Sequence, residues 1–275
     1  MPNHITNRLT IIGDRAEIAR VFSEIKGEME NQFIDFNKIV PLPTELDNTK
    51  SPMSHITQKE YEEQEHKIAN NELTEDEKRF GLSRCLTIEL SIEYKRKFGA
   101  DNWYDWQTQN WGTKWNAYEQ YTDNDCVIEF QTAWATPYML MQKLSEKFPN
   151  CQFNLEYADE DFGYNVGSYV CQNGEVIEEN IPQGGSVEAI KMAMDILGDE
   201  DYYLSEYLTE DYLSDSEELN NFELSLVELA HEQGRLEEGY PQVVLNKLKE
   251  LALADEQYER IIEIDKLLKQ QEITE

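Results

Sequence analysis

Residues 113 to 180 read as two extended runs, an amphipathic helix and three further extended runs, and this order restricts the possible folds more than anything else in the chain. "TKWNAYEQY" and "CVIEFQTAW" carry strand-favouring residues on either side of the turn-rich "TDND". Pro137 suits the first turn of a helix, and "YMLMQKLSEKF" behind it sets Met139, Leu140, Leu144 and Phe148 on one stripe. "CQFNLEYADE" and "GYNVGSYVC" are extended again, and the Asn-Gly pair in "CQNGEV" marks a tight hairpin. Strands that follow one another through short turns pair antiparallel, and such a sheet needs a helical layer on its apolar face. The class is therefore α+β.

The flanks extend this reading. "HITNRLTII" is a strand, Asp14 a candidate N-cap, and "RAEIARVFSEIKGEM" a helix bearing Ile18, Val21, Phe22, Ile25 and Met29. "FIDFNKIVPLP" reads as a second extended segment stopped by Pro41 and Pro43, so the chain is expected to open β-α-β. Residues 44 to about 100 are polar and helix-prone, an inserted helical segment with Thr74 heading a start-like TEDE run. Within it, 82 to 98 fits strand or helix; the Lys- and Arg-bearing end closed by Gly99 favours helix. Past Pro182, "QGGS" is the best linker, and 183–275 carries helical stripes separated at Gly234 and Gly239-Tyr240-Pro241.

With 56 acidic against 24 basic residues, the formal net charge is −32. Binding to phosphate backbones or anionic lipid depends on Lys and Arg, so direct nucleic-acid binding and membrane association are disfavoured. The same field attracts basic partners, including the nucleic-acid-binding faces of other proteins; acidity serving solubility alone is the simpler alternative. Its densest source is a run without Lys or Arg that holds Asp199, Glu200, Asp201, Glu206, Glu210, Asp211, Asp215, Glu217 and Glu218. Cys85, Cys126, Cys151 and Cys171 show no CxxC spacing, and the four histidines form no HxH or HExxH. Neither a metal nor a cofactor is expected, and Asp159-Glu160-Asp161 reads as a solvated acidic loop. No nucleophile or phosphate-loop motif is present, so no catalytic residue is assigned. "MPNHITNRLT" has no signal-peptide pattern, and no apolar run approaches membrane-spanning length; a cytoplasmic protein is expected.

"DWQTQNWGTKWNA", residues 105 to 117, places three of the five tryptophans within ten positions, with an echo at "QTAWATP". A tryptophan buries a large apolar area with one N–H to satisfy, so the stretch suits a packing junction between layers. The functional alternative is a ligand-binding or catalytic cleft formed by Trp106, Trp111, Trp115 and Trp134, with Asn110, Thr113 and Lys114 as polar contacts. A lysine fixed among such rings calls for a carboxylate partner or a ligand.

Five segments, "MPNHITNRLTIIGD", "FIDFNKIVPLP", "NWGTKWNA", "FQTAWATP" and "FPNCQFNLEYADEDFG", resemble the Api92-like (YubB-type) family in this order. The family pattern opens MPNW-C-x-N, and His4 and Ile5 stand here in place of the Trp-Cys pair. The resemblance spans 1–182 and leaves 183–275 unmatched. It implies a ferredoxin-like antiparallel α/β sandwich with a helical part, here followed by an acidic all-α bundle. It also implies carriage on phages, plasmids and other mobile elements of bacteria, and no reaction. The expected function is a non-enzymatic protein-binding module whose acidic surface acts as a nucleic-acid-mimicking decoy for a host protein.

Overall fold

The computed structural model describes residues 2–74, 83–124, 126–198, 203–204, 207–209, 219–237 and 240–274. The nine acidic residues named from Asp199 to Glu218 lie outside the described residues, as does the body of the TEDE run. The chain divides into two compact units, Met1–Leu155 with Tyr169–Glu178, and Glu156–Ser168 with Glu179–Glu275.

The elements run β1 (His4–Ile12), α1 (Arg15–Ile25), α2 (Phe36–Ile39), α3 (Gln58–Ala69), α4 (Ile88–Phe98), α5 (Trp103–Asn110), β2 (Tyr118–Asn124) and β3 (Val127–Ala133). They continue with α6 (Tyr138–Lys147), β4 (Gln152–Asp159), β5 (Gly167–Gln172), β6 (Glu175–Asn180), α7 (Val187–Leu197), α8 (Asn221–Glu232), α9 (Gln242–Ala254) and α10 (Tyr258–Thr274). The six strands form one antiparallel sheet in the order β2-β3-β1-β4-β5-β6. The α+β class and the β-β-α-β-β-β succession are as the sequence predicts.

Period-two patterning sets the sheet. Along β1 the residues Ile5, Asn7, Leu9 and Ile11 are buried, and the register places Leu9 opposite Ile128 and Asn7 opposite Phe130 on β3. Val21 and Ile25 of α1, and Leu140, Met141 and Leu144 of α6, pack into the same core as Leu9, Ile128, Phe130, Phe153 and Leu155. Each such side chain contributes about 1.5–3 kcal/mol on leaving water. Met141 takes the buried place expected of Met139. The β5–β6 hairpin turns at Asn173 (φ 51°) and Gly174 (φ 82°), as its Asn-Gly pair predicts.

The opening is not β-α-β. "FIDFNKIVPLP" turns into the short helix α2, because its backbone finds partners other than a neighbouring strand. Asp35 Oδ1 accepts from Asn37 N at 2.9 Å, while Asn116 Oδ1 takes the Phe36 N–H and Gln120 Oε1 the Ile34 N–H, at 2.9 and 2.8 Å. Asp14 does sit at the N-cap of α1, yet its side chain makes no capping hydrogen bond.

In the expected insert, α3 starts after Thr57, through a capping box with Glu60, and the helix start expected at Thr74 falls on residues outside the described ones. The ambiguous segment resolves as α4, capped by Thr87 and closed by Gly99 at φ 84°, where a side chain would be strained. Two isolated parallel bridges, Thr49 to Arg84 and His55 to Leu86, tie the chain before α3 to the chain before α4.

In the second unit Ala158, Phe162 and Val166 share a core with Ile190 and Met194 of α7, Leu226 and Leu229 of α8, and Val244 and Leu248 of α9. Phe162 stacks on Tyr203 with centroids 4.1 Å apart. "QGGS" is tied into this unit: Gly185 N donates to Gly163 O at 2.9 Å, and Ser186 caps α7. Asp159, expected on a solvated loop, is buried; its carboxylate accepts from Asp161 N at 3.0 Å and Asn165 Nδ2 at 2.7 Å and so closes the 159–165 loop.

Candidate functional site: a tryptophan pair around Lys114

The tryptophan stretch falls into two halves with different fates. Asn102 accepts from Asp105 N at 2.9 Å to start α5, and the helix delivers Trp106 and Trp111 to the core, 5% and 1% exposed. Their rings meet edge-to-face at 5.9 Å, Trp111 meets Phe36 at 5.6 Å, and the Trp111 indole N–H donates to Val40 O at 2.8 Å. Asn110 closes the helix, its amide donating to Trp106 O at 2.8 Å. Gly112, at φ 84°, then turns the chain outward.

Beyond the turn Thr113 stays buried while the tryptophan side chains reach solvent. Trp115 is 38% and Trp134 46% exposed, and Lys114 lies between them with its Nζ 4.5 Å from each ring centroid. Both distances fall well inside the range, about 6 Å, over which a ring face attracts a cation. Among the described residues no carboxylate stands within ion-pair distance of Lys114. Among the described residues it is the two rings that Lys114 meets. Trp115 packs edge-to-face on Tyr118 at 6.3 Å. The Tyr118 hydroxyl donates to Thr132 O at 3.1 Å, leaving its oxygen to accept from His4 Nδ1 at 2.8 Å. Of the seven predicted contact residues, then, Lys114, Trp115 and Trp134 converge at the surface, Thr113 supports them from beneath, and Trp106, Trp111 and Asn110 belong to α5 and the core.

The walls are held by hydrogen bonds. Thr113 Oγ1 donates to Ala133 O at 2.9 Å, Thr132 Oγ1 to Ala135 O at 2.8 Å, and Trp134 N to Asn3 O at 3.0 Å, so the 133–135 turn is fixed on three sides. Below it lies a buried network: Asn7 Nδ2 donates to Ile5 O and Thr132 Oγ1, and Thr136 Oγ1 donates to Asn7 Oδ1, at 2.8–2.9 Å. Asn116 anchors the other wall through Asp35 and Phe36. Trp134 has φ 67°, the left-handed region that a bulky side chain seldom enters. His4 and Tyr118 were missed in the sequence; the signal available for His4 was its place at the start of β1, opposite Ala133 and beside Trp134.

Two other concavities differ in kind. An open groove of about 680 Å³ runs along α1 over Ile18, Ala19 and Phe22, with Arg15 and Lys26 at its rim. A polar cleft of about 430 Å³ adjoins His55, Tyr104 and Asp101. Burial works to raise the Asp101 pKa, but hydrogen bonds from Ser91 (2.5 Å), Lys95 (2.9 Å) and Asn102 (3.0 Å) outweigh it and hold the group below the usual aspartate value. A carboxylate so occupied joins α4 to α5 and is not poised for proton transfer. Among the described residues no three His, Cys, Asp or Glu side chains cluster closely enough to hold a metal ion, and no helix is long and apolar enough to cross a membrane.

These features define the class: an α+β protein with a six-stranded antiparallel sheet, C-terminal helices and a solvent-facing tryptophan pair. More particularly, residues 110–200 match the family model described as "Ferredoxin-like domain in Api92-like protein", from the tryptophan stretch through the end of α7. The chain is also similar to the crystal structure of the protein api92 from Yersinia pseudotuberculosis, at 11% identity and a TM-score of 0.35, over 66% of this chain and 99% of that one. No curated protein matches the chain.

Proposed function

We propose that the chain is a non-enzymatic protein-binding module that recruits a basic partner and competes with nucleic acid for it. The observation that carries this reading is the exposed pair Trp115 and Trp134 on a chain of net charge −32. Tryptophan supplies much contact area for little conformational entropy and is enriched where partners meet. An acidic field of this size speeds the approach of basic surfaces and repels nucleic acid itself. The carboxylates from Asp199 to Glu218 concentrate that field in sequence. The resemblance to a family carried on phages and plasmids agrees with a role against a host protein in the bacterial cytoplasm. A ligand-binding or catalytic cleft around "NWGTKW" has less support, since Trp106 and Trp111 are buried.

Capture from a nuclease-treated bacterial lysate at low and moderate salt tests the reading. Basic, nucleic-acid-binding proteins are expected at low salt, and added duplex DNA or RNA should displace them. If no such protein is recovered, or if nucleic acid displaces none, the decoy role fails.

A further inference from the structure

Resting on that reading, we propose that Trp115 and Trp134 form a clamp for a lysine ammonium of the basic partner, and that Lys114 is a resident occupant which the partner's side chain displaces. The gap already holds the chemistry it would bind. An alkylammonium centred 4.5 Å from both rings is the geometry of a two-walled cation site, and here the chain's own lysine occupies it.

Three properties make the occupant exchangeable. Lys114 reaches the gap on a flexible four-carbon stem. It has no carboxylate partner among the described residues, so its departure into water breaks none of the ion pairs described. Its replacement by another ammonium restores the same ring contacts, while the rest of the basic partner gains the attraction of a strongly negative chain. The walls, in contrast, stay in place. Trp134 is fixed through Asn3, Thr113 and Thr132, and Trp115 through Tyr118 and its neighbour Asn116. A site whose walls are already ordered loses little entropy when a ligand arrives. Without a ligand, Lys114 covers the two indole faces and limits the apolar surface they expose.

The experiment uses the full chain and a fluorescently labelled oligolysine peptide, titrated by anisotropy. Lys114→Met removes the competing ammonium from between the rings and is expected to tighten binding about fivefold, the size of one exposed cation–π contact. Lys59→Met removes the same charge from an exposed site on α3 and should change affinity less than twofold or so, because distant surface charges are screened. Trp134→Gly removes one wall, keeps a residue suited to φ 67°, and should weaken binding about fivefold. The direct readout is the Lys114 ε-methylene resonance, which ring currents should shift upfield in the free protein and oligolysine should return toward its solvent position. Equal effects of Lys114→Met and Lys59→Met, or a Lys114 resonance unmoved at saturating peptide, overturn the clamp. Such a result, alongside continued capture of basic proteins from lysate, would remove the clamp and leave the broader reading standing; loss of capture altogether would remove that reading instead.

Discussion

Replacing Trp111 with alanine gives the sharpest test of how the tryptophan stretch divides. Its ring is 1% exposed, touches Phe36 and Trp106 edge-to-face, and gives its N–H to Val40 O. Truncation of a buried Trp to Ala costs about 3–5 kcal/mol in transfer and cavity terms. That is a large share of the roughly 5–15 kcal/mol that stabilises a typical domain. All five tryptophans, Trp103, Trp106, Trp111, Trp115 and Trp134, lie in the first unit, so their emission reports that unit alone. This choice of probe matters, because a chain of two units need not unfold in one step. In urea, with an m-value of about 2 kcal/mol/M, the midpoint should fall by about 1.5–2.5 M. Trp134→Gly, at an exposed position with φ 67°, should shift it by less than about 0.5 M. If Trp111→Ala moves the midpoint no further than Trp134→Gly, the division into core and surface halves is wrong.

Two further outcomes follow from the ionisable groups. Burial pushes the Cys171 thiol up to about 11 and also raises that of Cys151, with Glu17 adding to the latter. At pH 8, iodoacetamide should therefore label the half-buried Cys85 and Cys126 first and reach the other two only on unfolding; equal labelling of all four in the native protein, read by mass spectrometry, would contradict this. Asp101 has a folded pKa held below its ordinary 3.8. A depressed carboxylate pKa contributes stability that is complete above the unfolded value and is lost as pH falls through the folded one. The stability gap between the native chain and Asp101→Asn should hence be constant above about pH 5 and narrow below 3.8, as followed by urea midpoints at a series of pH values.

Much of the fold was legible because it is written in local signals. The alternation along β1, the Asn173-Gly174 turn and the Gly99 stop each state their structure within a few residues. The errors arose where distant groups decide. "FIDFNKIVPLP" has the apolar content of a strand, but the partners of its backbone are Asn116 and Gln120, 80 and 86 positions away. The site was legible in composition and not in arrangement. Spacing brought Trp106, Trp111 and Trp115 together as a set, whereas burial is settled by Val40, 71 residues from Trp111, and by the turn at Gly112. His4 entered the sequence reading only as a departure from a family pattern, because its partner Tyr118 lies 114 residues on.

Trp134 bears most directly on what the surface half is for. A left-handed backbone costs a non-glycine residue about 1–2 kcal/mol. A turn that required only this conformation would be best served by Gly or Asn. Burial offsets this cost: with Trp134 46% exposed, about half of its surface leaves water, which contributes about 2–3 kcal/mol. The contact with Lys114 adds about 0.5–1 kcal/mol at an exposed site. The isolated chain can therefore hold the ring in place without a ligand, and the strain alone does not decide between a structural and a binding role. What separates them is Trp134→Gly, which relieves the backbone and removes the exposed ring face: a structural role predicts a change in stability alone, whereas the proposed clamp predicts weaker oligolysine binding as well.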